Sequence, residues 1–347
     1  MDKRIMLASD YQEGAHPNII KRLSETNFTS VPGYGMDEFC LSAKDRIRLA
    51  CNAPDAEIEF LSGGTQTNRV MIDALLKSYE GVISADSGHV NAHEAGAIEA
   101  GGHKVLTIKG HNGKITADQI EQYIYDFEHD DNHEHMVHPG MVYLSQPTEY
   151  GTLYSLSELQ AIHETCHKHH IYLYIDGARL AYALACKEND VSLKDLAKLC
   201  DVFYIGGTKC GALIGEAVVI PDPSLIPHLF TIIKAHGALL AKGRLLGIQF
   251  DELFKNDLYM HIGESAMTYA DDIRKILTDN HYRLCFDSPT NQVFFVTDNQ
   301  KLETLNQYVQ YGFWEKYDEN KSIIRFATSW ATKEDDVIKL KDIMHTL

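Results

Sequence analysis

The sequence predicts an α/β protein, with a mostly parallel central sheet flanked by helices and a smaller α+β unit at its C-terminal end. Three observations predict it. Short apolar runs alternate with segments of helical period through roughly residue 250. Two of those runs, 171–175 and 202–205, stop on Asp176-Gly-Ala-Arg179 and on Gly206-Gly207-Thr208-Lys209. Past Phe250 the order changes to helix, strand, helix, strand, helix. A chain of 347 residues exceeds the usual single core, so the expected division is an arm over 1–47, a large α/β domain over 48–250 and a small α+β domain over 251–347.

In chain order, Ser9-Asp10-Tyr11 precedes a helix over 18–25, and Tyr34-Gly35-Met36-Asp37 turns into an amphipathic helix over 38–51. A strand over 58–61 runs into Ser62-Gly63-Gly64-Thr65-Gln66-Thr67-Asn68 and a helix over 69–78. That arrangement offers either an anion site of free N–H groups at a helix N-terminus or an ordinary N-cap in a tight turn. It matches neither a Walker loop nor a GxGxxG fingerprint. A strand at 82–84 leads through Asp86-Ser87-Gly88-His89 into a helix reaching Gly96. His89 at that junction is a ligand-facing imidazole or a cap or core residue.

A strand over 104–108 and a helix over 116–127 follow. The run 128–135 is dense in His, Asp and Glu but lacks i, i+4 placement on an apolar face; it reads as a solvated loop, and no metal is assigned. A buried strand over 141–144 ends on Ser145-Gln146-Pro147-Thr148-Glu149, before a helix over 157–169 capped by Ser155 or Ser157. After Lys209 come a strand over 211–220, a helix-rich stretch, a long helical run from about Phe250 to 279, and strands over 292–296 and 323–327. Arg325 lies between apolar neighbours. It forms a structural salt bridge, faces solvent, or binds a carboxylate.

The totals exclude some classes. With 44% hydrophobic and 23% charged residues the chain reads as an ordinary soluble globular protein. A net charge of −17 argues against nucleic acid and anionic membranes as partners, so any anionic ligand must be held by local donors. The seven cysteines are scattered without a CxxC, as expected of reduced thiols in the cytosol. The start, Met1-Asp2-Lys3-Arg4-Ile5-Met6-Leu7, is too poor in apolar residues for a signal peptide, and no apolar run approaches the ~20 residues that span a bilayer. A cytoplasmic location is expected.

Asp176 and Lys209 end neighbouring strands, which brings a carboxylate and an amine to one crevice at the sheet's C-terminal edge. Taken singly, Asp176 would cap a helix and Lys209 would lie on the surface. Together they form the pair that pyridoxal phosphate (PLP) requires: an amine to bind the coenzyme aldehyde and an acid to hold the ring nitrogen protonated.

The ordered set Ser9-Asp10, Tyr34-Gly35-Met36-Asp37, Gly63-Gly64-Thr65-Gln66-Thr67-Asn68, His89, Asp176-Gly-Ala-Arg179, Lys209 and Arg325 resembles the low-specificity L-threonine aldolases. These belong to the β-eliminating lyase group of fold-type I PLP enzymes. The segment Ser145-Gln146-Pro147-Thr148-Glu149-Tyr150 looks like the branch that includes phenylserine-type aldolases.

The resemblance implies retro-aldol cleavage of L-threonine, L-allo-threonine and related β-hydroxy-α-amino acids to glycine and an aldehyde. β-Elimination or aminotransfer on the same Asp176–Lys209 core is the alternative. It further implies that Lys209 carries the coenzyme, Asp176 pairs with its ring nitrogen, and Gly64 and Thr65 cradle its phosphate. His89 would stack on the ring near the substrate hydroxyl. Arg179 would fix the Asp176 and substrate region, and Ser9 and Arg325 would bind the substrate carboxylate. Where many members have a second histidine, this chain has Glu149. The group that handles the hydroxyl proton is therefore open among His89, Glu149 and water. A homodimer or homotetramer is expected on the same ground.

Overall fold

The structure, a computed structural model, describes residues 4–347. Met1, Asp2 and Lys3, part of the N-terminal stretch read above for a leader, lie outside the described residues. In chain order the strands are β1 (Ile5–Leu7), β2 (Glu57–Leu61), β3 (Glu80–Ala85), β4 (Val105–Ile108), β5 (His138–Ser145), β6 (Tyr172–Asp176), β7 (Val202–Gly206) and β8 (Glu216–Ile220). They continue with β9 (Arg283–Cys285), β10 (Gln292–Asp298), β11 (Val309–Lys316) and β12 (Lys321–Ala327).

The larger sheet has the order β2-β8-β7-β6-β5-β3-β4 and is parallel from β7 to β4, with β8 antiparallel to both its neighbours. Its central strands are apolar on successive residues because both faces are covered. Ile83, Val142, Leu173 and Phe203 pack on one side, and Val82, Met141, Tyr174 and Val202 on the other. Ser145 and Asp176 pair in register at the C-terminal edge, next to the end of β7. This edge positions the site. The architecture is the fold-type I arrangement expected from the sequence.

The second sheet has the order β1-β11-β12-β10-β9. The helices Glu264–Asp279 and Glu334–Thr346 cover it through Ile273, Leu277 and Leu340 packed on Phe295, Ile324 and Phe326. Two of its strands, β9 and β11, carry no clean apolar alternation, and a bulge at Phe313/Glu315 interrupts β11. Strand β1, from the expected arm, pairs with β11 and so ties the first residues to the last third of the chain.

Several boundaries differ from expectation, each for a local reason. The helix expected from residue 69 begins at Gly64, so the glycine–threonine run forms its first turn and not a loop; the Thr67 hydroxyl donates back to the Gly63 carbonyl. The helix expected to run through Gly96 is broken into His89–Ala92 and Ala97–Ala100 by positive φ angles at Ala95 (52°) and Gly96 (74°). Residues 211–215 are loop, with strand only from Glu216. The long helical run past Phe250 is interrupted at Asn256 and Asp257, whose φ angles are 53° and 57°.

Candidate active site

Two adjoining cavities, of about 320 and 420 Å³, open at the C-terminal edge of the larger sheet. They share Tyr11, His89, Glu149, Arg179 and Lys209. The first adds Gly64, Thr65, Asp176 and Glu216; the second adds His93, Trp314 and Arg325. Most of the residues singled out from the sequence therefore come together. Ser9 is buried beside them but lines neither cavity, where Tyr11 does.

Asp176 ends β6 with its carboxylate buried and four times bonded. Tyr143 and Tyr204 donate their hydroxyls at 2.5 Å each, Asn68 its amide at 3.1 Å and Ala178 its N–H at 2.9 Å. Burial pushes the acid up, but the charge of His89 and the hydrogen bonds from Tyr143, Tyr204 and Ala178 outweigh it and hold Asp176 below the usual carboxylate range. It stays ionised.

Lys209 lies two residues beyond Gly207, and Tyr182 fixes its backbone by donating to its carbonyl at 2.6 Å. Its ammonium joins no ion pair among the described residues. Burial and the nearby Arg179 guanidinium lower its pKa, while Asp10, Asp176 and Glu216 resist. An amine of lowered pKa is the more easily freed of its proton to act as a nucleophile.

The broken helix after β3 aims Glu94 back at this centre. Its Oε1 stands 2.8 Å from His89 Nδ1 and accepts from Asn68 Nδ2 at 2.7 Å, while its buried Oε2 has no partner among the described residues. A carboxylate only accepts, so this bond places hydrogen on Nδ1; when the ring carries one proton, Nε2 is the nitrogen left free. Asn68 thereby bridges the carboxylates of Glu94 and Asp176. Glu149, from the loop after β5, accepts from Ser145 Oγ at 2.6 Å and from the His89 N–H at 2.9 Å. Burial raises its pKa, only partly countered by the Ser145 hydrogen bond. Both side-chain candidates for the hydroxyl proton, His89 and Glu149, line both cavities.

The cations come from distant parts of the chain. Arg179 is gripped by Asp10 at 2.6 and 3.0 Å, and not by Asp176. Arg325 donates to Gln292 Oε1 and to the Ala8 carbonyl, both at 2.8 Å, and its buried Nε has no partner among the described residues. Of the alternatives left open for Arg325, a salt bridge and a solvent-facing position find no support, since it pairs with no acid among the described residues and lines a cavity.

Sequence reasoning gave no role to Asp10, Asn68, Glu94, Tyr143, Tyr204 or Glu216. The tyrosines carried a signal: Tyr174 and Asp176 are two apart on one strand, and Tyr143 pairs with Tyr174, so all share a face.

The sequence pattern of the β-eliminating lyases matches residues 7–284. The chain belongs to that family. It is 30% identical over 345 residues to the low specificity L-threonine aldolase of Pseudomonas aeruginosa, covering 98% of this chain and 96% of that one. Among solved structures, the threonine aldolase of Leishmania major is 39% identical with a TM-score of 0.95 and 99% of each chain covered. An aspartate aminotransferase from Thermus thermophilus is 14% identical with a TM-score of 0.73, covering 99% of this chain and 91% of that one; at that identity it speaks for the fold alone. This β-eliminating lyase is a PLP-dependent enzyme. The residues present suit the coenzyme: one cavity holds an amine in no ion pair with another described residue, an ionised buried carboxylate, and the N–H groups of a helix's first turn at Gly64 and Thr65, which no described residue accepts. No group of His, Cys, Asp and Glu suited to a metal ion occurs among the described residues, nor any helix long and apolar enough to cross a membrane.

Proposed function

We propose that this protein cleaves L-threonine, L-allo-threonine and related β-hydroxy-α-amino acids to glycine and an aldehyde. One observation carries the reading: Lys209, Asp176, the His89–Glu149 pair and Arg325 line two cavities that have five residues in common. PLP held there supplies an electron sink for a bond broken at the substrate Cα.

The chain's own residues then select and move. Lys209 is the amine that holds the coenzyme, Gly64 and Thr65 offer N–H groups to its phosphate, and Asp176 keeps its ring nitrogen protonated by facing it with a fixed negative charge. Arg325 clamps the substrate carboxylate through the terminal N–H groups that its bonds to Gln292 and Ala8 leave over, and Arg179, steered by Asp10, backs that clamp with a second positive charge. Fixing the carboxylate fixes rotation at Cα, which chooses the Cα–Cβ bond over its neighbours. His89 Nε2 or Glu149 takes the proton of the β-hydroxyl as that bond breaks, a contribution of roughly 10²–10⁴ in rate.

The test is to incubate purified protein and PLP with L-threonine, L-allo-threonine and phenylserine separately and assay glycine and aldehyde. Pyruvate with ammonia would favour β-elimination, and a keto acid would favour aminotransfer. Equal turnover by Lys209→Ala would overturn the assignment. We further place the protein in the cytoplasm as a homodimer or homotetramer. Supporting assembly, Phe28 is 95% and Met36 67% exposed, apolar surface that a second copy would cover; sedimentation would test it.

A further inference from the structure

We propose that Glu216 is a positioning residue of the coenzyme's phosphate subsite and carries a proton whenever the phosphate is bound, so that phosphate binding takes up one proton. This rests on the reading above that the cavity holds PLP.

Glu216 opens β8 between Gly206 of β7 and Leu61 of β2. Strand β2 runs straight on into Ser62, Gly63 and the first turn at Gly64, so Glu216 stands beside the loop whose N–H groups suit a phosphate. It walls the same cavity as Gly64 and Thr65 and is only 3% exposed. Its Oε2 accepts the Gly207 N–H and its Oε1 the Thr208 hydroxyl, both at 2.9 Å. No ion pair among the described residues includes it.

The consequence is a conflict over donors. Gly207 and Thr208 immediately precede Lys209, and an anion bound here would draw on the groups that Glu216 already holds. Two anions side by side in a buried cavity repel. A protonated Glu216 removes the repulsion and offers an O–H that a phosphate oxygen accepts. The charged and titratable groups that face Glu216 are Lys209, Asp176, Tyr174, Tyr204, Tyr259 and Cys210. Burial pushes Glu216 up to about 7; hydrogen bonds and Lys209 oppose it, and Asp176 adds to it. The tyrosines and the thiol are raised by burial and stay neutral near pH 7. Within the neutral range Glu216 is therefore the acid that gains or loses a proton when the neighbouring charge changes.

The experiment is calorimetric binding of PLP to coenzyme-stripped protein at pH 8, in buffers of different ionisation enthalpy, for the wild type and Glu216→Gln. Pyridoxal, which lacks the phosphate, serves as a second ligand. Wild type is expected to take up about one proton more with PLP than Glu216→Gln does, and more than it does itself with pyridoxal. Its Kd for PLP should weaken about tenfold per pH unit above neutrality relative to the variant, the slope of a one-proton linkage. Equal proton counts in wild type and variant would overturn the proposal. So would equal counts for PLP and pyridoxal in the wild type, a comparison that stands even if the variant fails to fold. Absence of PLP binding by wild type is a different result, and it would overturn the reading of the cavity itself.

Discussion

Asp10→Asn isolates the ion pair that joins the N-terminal segment to the active-site edge. The Asp10 side chain is fully buried and meets Arg179 at 2.6 and 3.0 Å, and it also accepts from Asn291 at 2.9 Å. Burial alone would push the acid up, yet Arg179, Lys209 and Arg325 bring it down from the ordinary 3.8 to about 2. At about 1.4 kcal/mol per pH unit, that shift puts about 2 kcal/mol on the ionised form. The asparagine loses this stabilisation and leaves the Arg179 guanidinium buried without a counter-ion. Breaking one side of a buried pair typically costs about 3–5 kcal/mol. For a chain this long that corresponds to a fall in Tm of roughly 4–7 °C, read by thermal unfolding of the coenzyme-loaded protein at pH 7. The sign with pH follows from a depressed folded-state pKa. The contribution is fully present above about pH 4 and disappears as pH falls through about 2, so the gap between wild type and variant must narrow on acidification. An Asp10→Asn protein as stable as wild type at pH 7, or a gap that widens toward acid, would refute this reasoning.

Glu94→Gln keeps the shape but replaces the orphaned Oε2 with a donor and leaves the His89 tautomer unfixed. It should lower kcat for threonine by roughly 10²-fold with KM little changed, and the double variant with His89→Asn should be no slower than the worse single one, because the two act as a unit. Arg325→Lys gives up the fork that bonds Gln292 and Ala8 and the terminal N–H groups those bonds leave over, so KM for threonine should rise roughly 10- to 100-fold while the coenzyme absorbance stays. Six of the seven cysteines are buried, and burial pushes their thiols up, Cys51, Cys166, Cys186 and Cys210 to about 12. A thiol reagent at pH 8 should therefore modify at most Cys285 in the native protein and all seven after denaturation.

What could be read from the sequence followed the range of the physics. Asp176 and Lys209 were legible because each ends an apolar strand, and strand ends of a parallel sheet share one edge whatever the rest of the chain does. The groups that tune them were not. Asn68 reaches Asp176 across 108 positions, and Asp10 reaches Arg179 across 169. No local period encodes such a pairing. Glu94 was hidden differently: its neighbours have helical spacing, and only the positive φ angles at Ala95 and Gly96 turn it inward. The strands of the second sheet divided along the same line. Those buried on both faces, β10 and β12, were visible as apolar runs; the half-exposed β9 and β11 were not.

The charges of the whole and of the site have opposite senses, and the substrate's chemistry reconciles them. A net charge of −17 repels anions at a distance. In the second cavity the pattern is reversed: Arg179, Lys209 and Arg325 line it with a single acid, Glu149, and burial, with Arg179 after it, lowers Arg325 to about 10 and lowers Lys209. An α-amino acid at neutral pH is a zwitterion and feels little of the outer field, while its carboxylate end feels the whole of the inner one at contact distance. The coenzyme phosphate, an anion, does face the outer repulsion. It enters once and stays bound over many turnovers, so slow entry costs the cycle little. The acidic exterior therefore burdens the ligand that arrives once and spares the one that arrives at every turn.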